Sequence, residues 1–88
     1  MRVEFRGSFA RDLKRIKEKS LLSQVKVVIE QVEQASSLQE ISNLKRLRGG
    51  GSYYRIRIGD YRIGLRIENA TVIFVRFLHR REIYRYFP

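Results

Sequence analysis

Residues 53–67 read YYRIRIGDYRIGLRI, in which apolar and polar side chains alternate on both sides of Gly59-Asp60. A period of two residues is typical of a β-strand with one buried face, and two such runs joined by Gly-Asp indicate a β-hairpin with a two-residue turn. The turn fixes the register, whose predicted cross-strand pairs are Ile58 with Tyr61, Arg57 with Arg62, and Arg55 with Gly64.

The two faces of this predicted hairpin differ in chemistry. The core face carries Tyr54, Ile56, Ile58, Tyr61, Ile63, Leu65 and Ile67, and the opposite face carries Tyr53, Arg55, Arg57, Arg62, Gly64 and Arg66. Like charges directly opposite each other on a sheet destabilise it by roughly 0.2–1 kcal/mol per pair. The Arg57–Arg62 pair therefore indicates an anion-binding face, and Gly64 predicts an open spot where a backbone or base comes close. The alternative is a face whose arginines fan outward into solvent.

The remaining sequence predicts one domain over residues 1–88. Residues 2–6 alternate as a short strand with Val3 and Phe5 inward. Two apolar series at helical spacing predict a helical hairpin with Ser8 and Ser20 as N-caps and Asp12 on the outer side; the series are Phe9, Leu13, Ile16 and Leu21, Val25, Val28, Val32. Further predictions are a linker at 36–44, a flexible glycine loop at 49–51, a central strand at 72–78 and a short helix or tail at 79–88.

Positive charge is concentrated in the second half of the chain. The whole sequence carries 19 Lys and Arg against nine Asp and Glu, for a formal net charge of +10. Residues 45–88 hold 11 basic side chains, ten of them arginine, and three acidic ones. Such a field favours polyanions, and a planar guanidinium can grip phosphate with two hydrogen bonds. We therefore expect an anionic partner, with RNA preferred, and keep a basic surface serving solubility as the alternative.

The composition also excludes several kinds of metal site and catalytic site. The sequence has no cysteine, which rules out disulfides and thiolate metal sites and suits a reducing cytoplasm. Its single histidine excludes a two-histidine nuclease, and the few carboxylates of the second half are not clustered as a two-metal nuclease requires. We expect no cofactor, no metal and no membrane span. What remains is a metal-free site of arginines, His79 and tyrosines that stabilises a pentacoordinate phosphate electrostatically, with the 2′-hydroxyl of RNA as nucleophile.

The order of elements and two short motifs resemble the RelE/ParE toxin superfamily over essentially the whole chain. The motifs are Gly59-Asp60-Tyr61-Arg62 and His79-Arg80-Arg81-Glu82-Ile83-Tyr84. The resemblance implies an α+β fold: an N-terminal strand and helical hairpin packed on a small twisted antiparallel sheet, with a short C-terminal helix. It also implies the toxin half of a type II toxin–antitoxin pair, whose cognate antitoxin covers the basic face with an acidic or amphipathic segment or displaces the C-terminal helix.

RelE-like members cut mRNA in the ribosomal A site through the 2′-hydroxyl and leave a 2′,3′-cyclic phosphate, so the resemblance implies this reaction, with the ribosome and mRNA as partners. It assigns stabilisation of the scissile phosphate to Arg62 and Arg80, and base orientation to Tyr84. The expected RNA-binding residues are Arg55, Arg57, Arg81, Lys45 and Arg48, with Arg81 replacing Arg80 if the alignment gap shifts.

The general base is where this sequence departs from the family pattern. The best-known RelE pattern has lysines where this chain has Arg55 and Arg57, and arginine holds its proton too tightly to act as a base. Some relatives use a histidine near the C-terminus, and His79 fills that place because imidazole exchanges protons near neutral pH. A structural His79, on the strand face of Ile73, Val75 and Phe77, is equally open, and Glu82 is a weaker candidate base. Two further functions stay open: a ParE-type gyrase poison, and a non-enzymatic RNA-binding module or degenerate toxin.

Overall fold

A computed structural model describes residues 1–49 and 51–88, so Gly50 of the predicted glycine loop lies outside the described residues. The elements are β1 (Arg2–Phe5), α1 (Gly7–Lys14), α2 (Lys19–Gln34), β2 (Leu44–Arg46), β3 (Tyr53–Ile58), β4 (Tyr61–Glu68), β5 (Thr71–His79) and α3 (Ile83–Tyr86), with a 3-10 turn at Leu38–Glu40. The strands form one sheet in the order β1-β5-β4-β3-β2. Within the described residues, no helix is both long and apolar enough to cross a membrane.

The sheet is mixed rather than purely antiparallel. Strands β2, β3, β4 and β5 pair antiparallel, whereas β1 runs parallel to β5, with Val3 opposite Val72. The expected antiparallel sheet is therefore wrong at this edge. Two strands joined by a tight turn must be antiparallel. Because two helices and three other strands separate β1 from β5 along the chain, no such turn joins them, and the long connection allows β1 to run parallel to β5.

The predicted hairpin is confirmed in register and in facing. Arg57 pairs with Arg62, Arg55 with Gly64, and Ile58 with Tyr61. Gly59 has a φ of 54°, the left-handed conformation that a tight two-residue hairpin turn requires. All seven predicted core-face side chains belong to the hydrophobic core or pack against it, together with Phe9, Leu21, Val25 and Val32 from the helices. The helical hairpin therefore covers one face of the sheet.

The predicted inward position of Phe5 is wrong. Its side chain is 51% exposed, although its ring stacks on Phe74 with centroids 5.2 Å apart and on Phe9 at 6.0 Å. Phe5 is the last residue of β1, the edge strand, so neighbours cover one side of the ring only. The predicted linker is also too long, since it contains the 3-10 turn and Leu44, the first residue of β2.

The two predicted serine caps lie inside their helices. The N-cap residues are Arg6 and Glu18, without side-chain cap hydrogen bonds. The Ser8 hydroxyl instead donates to the backbone oxygen of Val75 at 2.6 Å, and the Ser20 hydroxyl donates to the exposed Glu18 carboxylate at 3.2 Å. Ser8 thus joins α1 to β5 instead of starting a helix.

Val75 is the extra residue of a β-bulge. Gly64 pairs with Arg76 and Leu65 pairs with Phe74, which leaves Val75 without an opposite residue on β4. A bulge shifts the alternation of side chains by one residue, so the residues after it change face. His79 therefore shares the core-side face of Phe77 and Phe74, and the predicted grouping with Ile73 and Val75 is wrong.

We expect Ser8→Ala to lower the free energy of unfolding by about 1 kcal/mol, the usual contribution of one hydrogen bond. The reason is that the Ser8 hydroxyl holds the carbonyl of the bulged Val75. Urea denaturation measures the change. Ser20→Ala is the matched control, because that hydroxyl bonds only an exposed carboxylate; equal losses in the two variants would contradict a role for Ser8 at the bulge.

Candidate nucleic-acid interface

The sheet face opposite the helical hairpin carries the predicted arginines, and we call Arg55, Arg57 and Arg62 the arginine face. Arg57 is exposed and pairs with Arg62 across the hairpin. The Nη1 atom of Arg62 donates to the backbone oxygens of Gly59 at 2.8 Å and Tyr61 at 2.9 Å. The Arg62 guanidinium is thereby turned toward the hairpin turn.

Arg80 is held at the same turn. Its backbone N–H donates to the oxygen of Asp60 at 2.7 Å, and its Nε lies 3.8 Å from the Asp60 carboxylate. The Arg80 side chain is 56% exposed, and an exposed ion pair of this length contributes little to stability. Arg62 therefore bonds one residue of the Gly59–Asp60 turn and Arg80 bonds the other. The exposed Arg80 guanidinium remains accessible to anions in solvent.

Arg55 of the arginine face has a buried side-chain nitrogen to which residues 1–49 and 51–88 offer no hydrogen-bond acceptor. Its Nη1 donates to the backbone oxygen of Asn43 at 2.9 Å, while its Nε is buried without a partner among the described residues. A buried donor without an acceptor costs about 1–3 kcal/mol. An acceptor brought by a ligand, such as a phosphate oxygen, would remove this cost.

A cleft of about 350 Å³ brings together three of the predicted site residues. Lys45, Arg48 and Tyr84 line it, along with Arg46, Leu47, Phe87 and Pro88. The Tyr84 side chain is 60% exposed. An exposed aromatic ring beside two cations is the combination that holds a base by stacking and its phosphate by charge.

The open spot predicted at Gly64 is filled by the chain itself. A Cβ atom placed on Gly64 would lie 2.8 Å from the ring of Phe87, and that ring forms a T-shaped pair with Tyr53, with centroids 5.6 Å apart. The prediction was wrong because the C-terminal segment folds back over the sheet. The apolar Ile83 and Phe87, four residues apart, are the sequence signal that could have indicated this packing.

His79 and Glu82 line a different cleft, of about 370 Å³, together with Asp12, Arg15, Tyr61 and Tyr86. The His79 ring contacts Tyr61 edge-on at 5.4 Å, and its Nδ1 accepts the backbone N–H of Arg81 at 3.2 Å. His79 is thus on the helix side of the sheet, and the structure does not bring it to the arginine face. In the part of the chain that the structure describes, no three His, Asp or Glu side chains cluster as a metal ion requires.

Asp12 is a structural residue that the sequence pattern misplaced on the outer side of α1. It is 5% exposed and accepts hydrogen bonds from Arg76 Nε at 2.7 Å, Arg76 Nη2 at 3.2 Å and the backbone N–H of Phe77 at 2.9 Å. The hydrogen bond with Asp12 raises the pKa of Arg76 above its ordinary value. Asp12 therefore clamps α1 onto the edge of β5 and keeps the sheet end that leads to Arg80 in place.

The chain is similar to known proteins over its whole length. The family model described as the ParE toxin of the type II toxin–antitoxin system parDE matches residues 3–84. The chain belongs to this toxin family. The toxin is 40% identical, over 89 residues and the full length of both chains, to Toxin RelE3 of Methanocaldococcus jannaschii. The predicted membership of the RelE/ParE superfamily is confirmed.

Solved structures give the same result for the fold of the toxin. The RelB–RelE antitoxin–toxin complex from Methanococcus jannaschii matches with a TM-score of 0.82 and 39% identity, over 97% of this chain and 99% of that one. The toxin–antitoxin complex RelBE2 from Mycobacterium tuberculosis matches with a TM-score of 0.66 and 28% identity, over 90% and 96% of the two chains. The predicted α+β class is therefore confirmed. Phe87 lies beyond the residues that the family model matches.

Proposed function

We propose that this toxin is an endoribonuclease that cuts mRNA in the ribosomal A site and so inhibits translation. The 2′-oxygen forms a bond to the adjacent phosphorus while the bond to the 5′-oxygen of the next nucleotide breaks. The proton of the 2′-hydroxyl goes to the departing 5′-oxygen, so the products are a 2′,3′-cyclic phosphate and a 5′-hydroxyl. The observation that carries the proposal is that Arg62 and Arg80 both bond to the Gly59–Asp60 turn, Arg62 through its side chain and Arg80 through its backbone N–H.

Positioning and charge stabilisation supply most of the proposed rate enhancement. Arg62 and Arg80 neutralise charge that develops on the pentacoordinate phosphate, and one such preorganised donor contributes on the order of 10²–10³ in kcat. Arg55 supports the RNA backbone through its unpaired Nε. The RNA-binding residues of the proposal are Arg55, Arg57, Arg81, Lys45 and Arg48, and Tyr84 stacks on a base. The proposal does not depend on proton transfer by His79, because His79 lines the other cleft.

Cleavage of translated mRNA tests the proposal. The toxin is added to a translating extract, and the RNA ends are mapped and chemically identified. We expect cuts within A-site codons, a 2′,3′-cyclic phosphate upstream and a 5′-hydroxyl downstream. Uncut mRNA in a translating extract would refute the nuclease, and a 5′-phosphate downstream would point to a metal-activated water instead of the 2′-hydroxyl.

A gyrase inhibitor is the second candidate, because the matching family model describes a ParE toxin. The full-length similarity to a RelE toxin favours the nuclease. DNA supercoiling by gyrase, measured beside translation with the same toxin sample, separates the two functions. A non-enzymatic RNA-binding domain would bind RNA but leave both the supercoiling and the mRNA unchanged.

We also propose that a RelB-type antitoxin neutralises this toxin. Relatives from Methanococcus jannaschii and Mycobacterium tuberculosis were crystallised as toxin–antitoxin complexes. A net charge of +10, concentrated in residues 45–88, favours an acidic or amphipathic antitoxin segment over the arginine face or in place of α3. The check is whether a small acidic protein encoded next to the toxin co-purifies with it and abolishes RNA binding.

Lys45→Ala is expected to weaken binding of single-stranded RNA and to reduce the slope of log K against log salt by about 0.7, the value for one lost phosphate contact. Lys45 is exposed and lines the cleft of Tyr84. Fluorescence anisotropy of a labelled oligonucleotide over a salt series measures the slope. Lys26→Ala, on the exposed side of α2, is the matched control for net charge, and identical slopes in the two variants would exclude Lys45 from the interface.

A further inference from the structure

The C-terminal segment is anchored to the sheet by two buried apolar side chains. Ile83 is fully buried and Phe87 is 3% exposed, while Tyr84 between them is 60% exposed. Helix α3 has only four residues, Ile83–Tyr86, and helices shorter than about 12 residues are marginal without tertiary support. The position of Tyr84 therefore depends on where Ile83 and Phe87 are held.

Gly64 makes room for the Phe87 ring. A Cβ atom placed there would meet three atoms of this ring at 2.8, 2.8 and 2.9 Å, closer than packed carbon atoms approach. The ring also forms a T-shaped pair with Tyr53, with centroids 5.6 Å apart and the ring planes at 88°. We call Gly64 and Tyr53 the Phe87 seat. Gly64 follows Arg62 by two residues on β4, so the seat lies on the arginine face.

The anchored ring also lines the cleft of about 350 Å³ that we propose binds RNA. Phe87 lines the same cleft as Tyr84, Lys45 and Arg48, on the side formed by the C-terminal segment. Lys45 pairs with Arg55 across β2 and β3, and Arg55 pairs with Gly64. Lys45, Arg55 and Gly64 thus form one row across the sheet, with Phe87 lying on its glycine. If the Phe87 ring were displaced, the distance from Tyr84 to Lys45 and Arg55 would change.

We infer that Phe87, seated on Gly64, is a positioning residue that sets Tyr84 against the RNA for cleavage. The inference rests on the proposed nuclease function and adds to it a specific role for a glycine without chemistry of its own. Phe87 acts through Tyr84 and does not touch the reacting atoms. A misplacement of about 1 Å in a catalytic arrangement can cost on the order of 10²-fold in rate.

Gly64→Ala tests this inference by adding one methyl group beneath the ring. We expect kcat for cleavage of translated mRNA to fall on the order of 10²-fold, with KM for the ribosome–mRNA complex within about threefold, as for a loss confined to the transition state. Phe87→Ala should have the same effect, and Phe87→Leu, which keeps most of the apolar bulk, should recover most of kcat. Gly7→Ala is the matched control, because a Cβ there meets nothing within 4 Å.

The position of the ring has a readout independent of activity. An aromatic ring lying directly on Gly64 shifts the Hα resonances of this glycine upfield in the NMR spectrum. The shift is expected in the parent and in Gly7→Ala, and it should disappear in Phe87→Ala. In Gly64→Ala the glycine itself is absent, so the amide resonances of the residues next to position 64 report the displaced ring. The remaining resonances report whether each variant is folded.

Two results would overturn the inference while leaving the nuclease intact. One is a folded Phe87→Ala toxin that has lost the Gly64 upfield shift and yet cleaves with the kcat of the parent. The other is a folded Phe87→Leu toxin as inactive as Phe87→Ala, since the ring itself and not its anchoring bulk would then be needed. A parent toxin that shows the Gly64 shift but cuts no translated mRNA would instead refute the proposed function, and the positioning role with it.

Discussion

Asp12→Ala is expected to lower the free energy of unfolding by about 3 kcal/mol, the lower end of the range for breaking a buried ion pair. The substitution leaves the Arg76 charge and the Phe77 backbone N–H without their acceptor. The lower end applies because the Arg76 side chain retains 25% exposure and can recruit water. For a domain with a total stability of about 5–15 kcal/mol, this loss is large enough to be obvious in urea denaturation.

Asp12→Asn separates the charge of Asp12 from its hydrogen bonds. The amide oxygen can still accept from Phe77 while the charge that balances Arg76 is gone, so we expect a loss of about 1–2 kcal/mol. Glu30→Ala, which removes an exposed carboxylate from α2, should leave the unfolding midpoint unchanged. If Asp12→Ala unfolds at the urea concentration of Glu30→Ala, the clamp between α1 and β5 does not stabilise the toxin.

The parts of the fold that the sequence predicted are those encoded locally. The hairpin and its register follow from alternation around Gly59-Asp60, because side-chain period and turn chemistry act within a few residues. The parallel pairing of β1 with β5 and the bulge at Val75 are set by the packing of distant segments. A bulge leaves no local mark in an apolar strand, which is why His79 was wrongly grouped with Ile73 and Val75.

In the candidate site, too, the sequence predicted the features encoded locally and missed those set by distant residues. Alternation alone predicted that Arg55, Arg57 and Arg62 share one face, and the structure agrees. The occupant of the space above Gly64 is Phe87, far along the chain, and no local pattern connects the two. Asp12 was misplaced for the same reason, since its partner Arg76 is 64 residues away. The periodicity of a single sequence reports local structure and does not show which distant residues will contact each other.

Arg62→Ala and Arg80→Ala are each expected to lower kcat for mRNA cleavage on the order of 10²–10³-fold, the effect of removing one preorganised donor from developing charge. The Arg62 guanidinium bonds the backbone oxygen of Gly59, and the Arg80 backbone bonds that of Asp60, so both side chains start from the same turn when phosphate charge develops. Induced expression of either variant should therefore fail to arrest growth. Mapping of translated mRNA, with each variant at the concentration of the parent, gives the size of the loss.

The control for these variants is Arg11→Ala, which removes an exposed arginine of α1 and the same unit of charge. Its cleavage should match the parent, because a general loss of positive field affects encounter and not the chemical step. The double Arg62→Ala, Arg80→Ala variant decides whether the two arginines share one phosphate. Groups that act as a unit are not additive, so the double loss should be smaller than the product of the single losses. Fully multiplicative losses would mean two separate anion sites, and single variants as active as Arg11→Ala would remove both residues from the proposed active site.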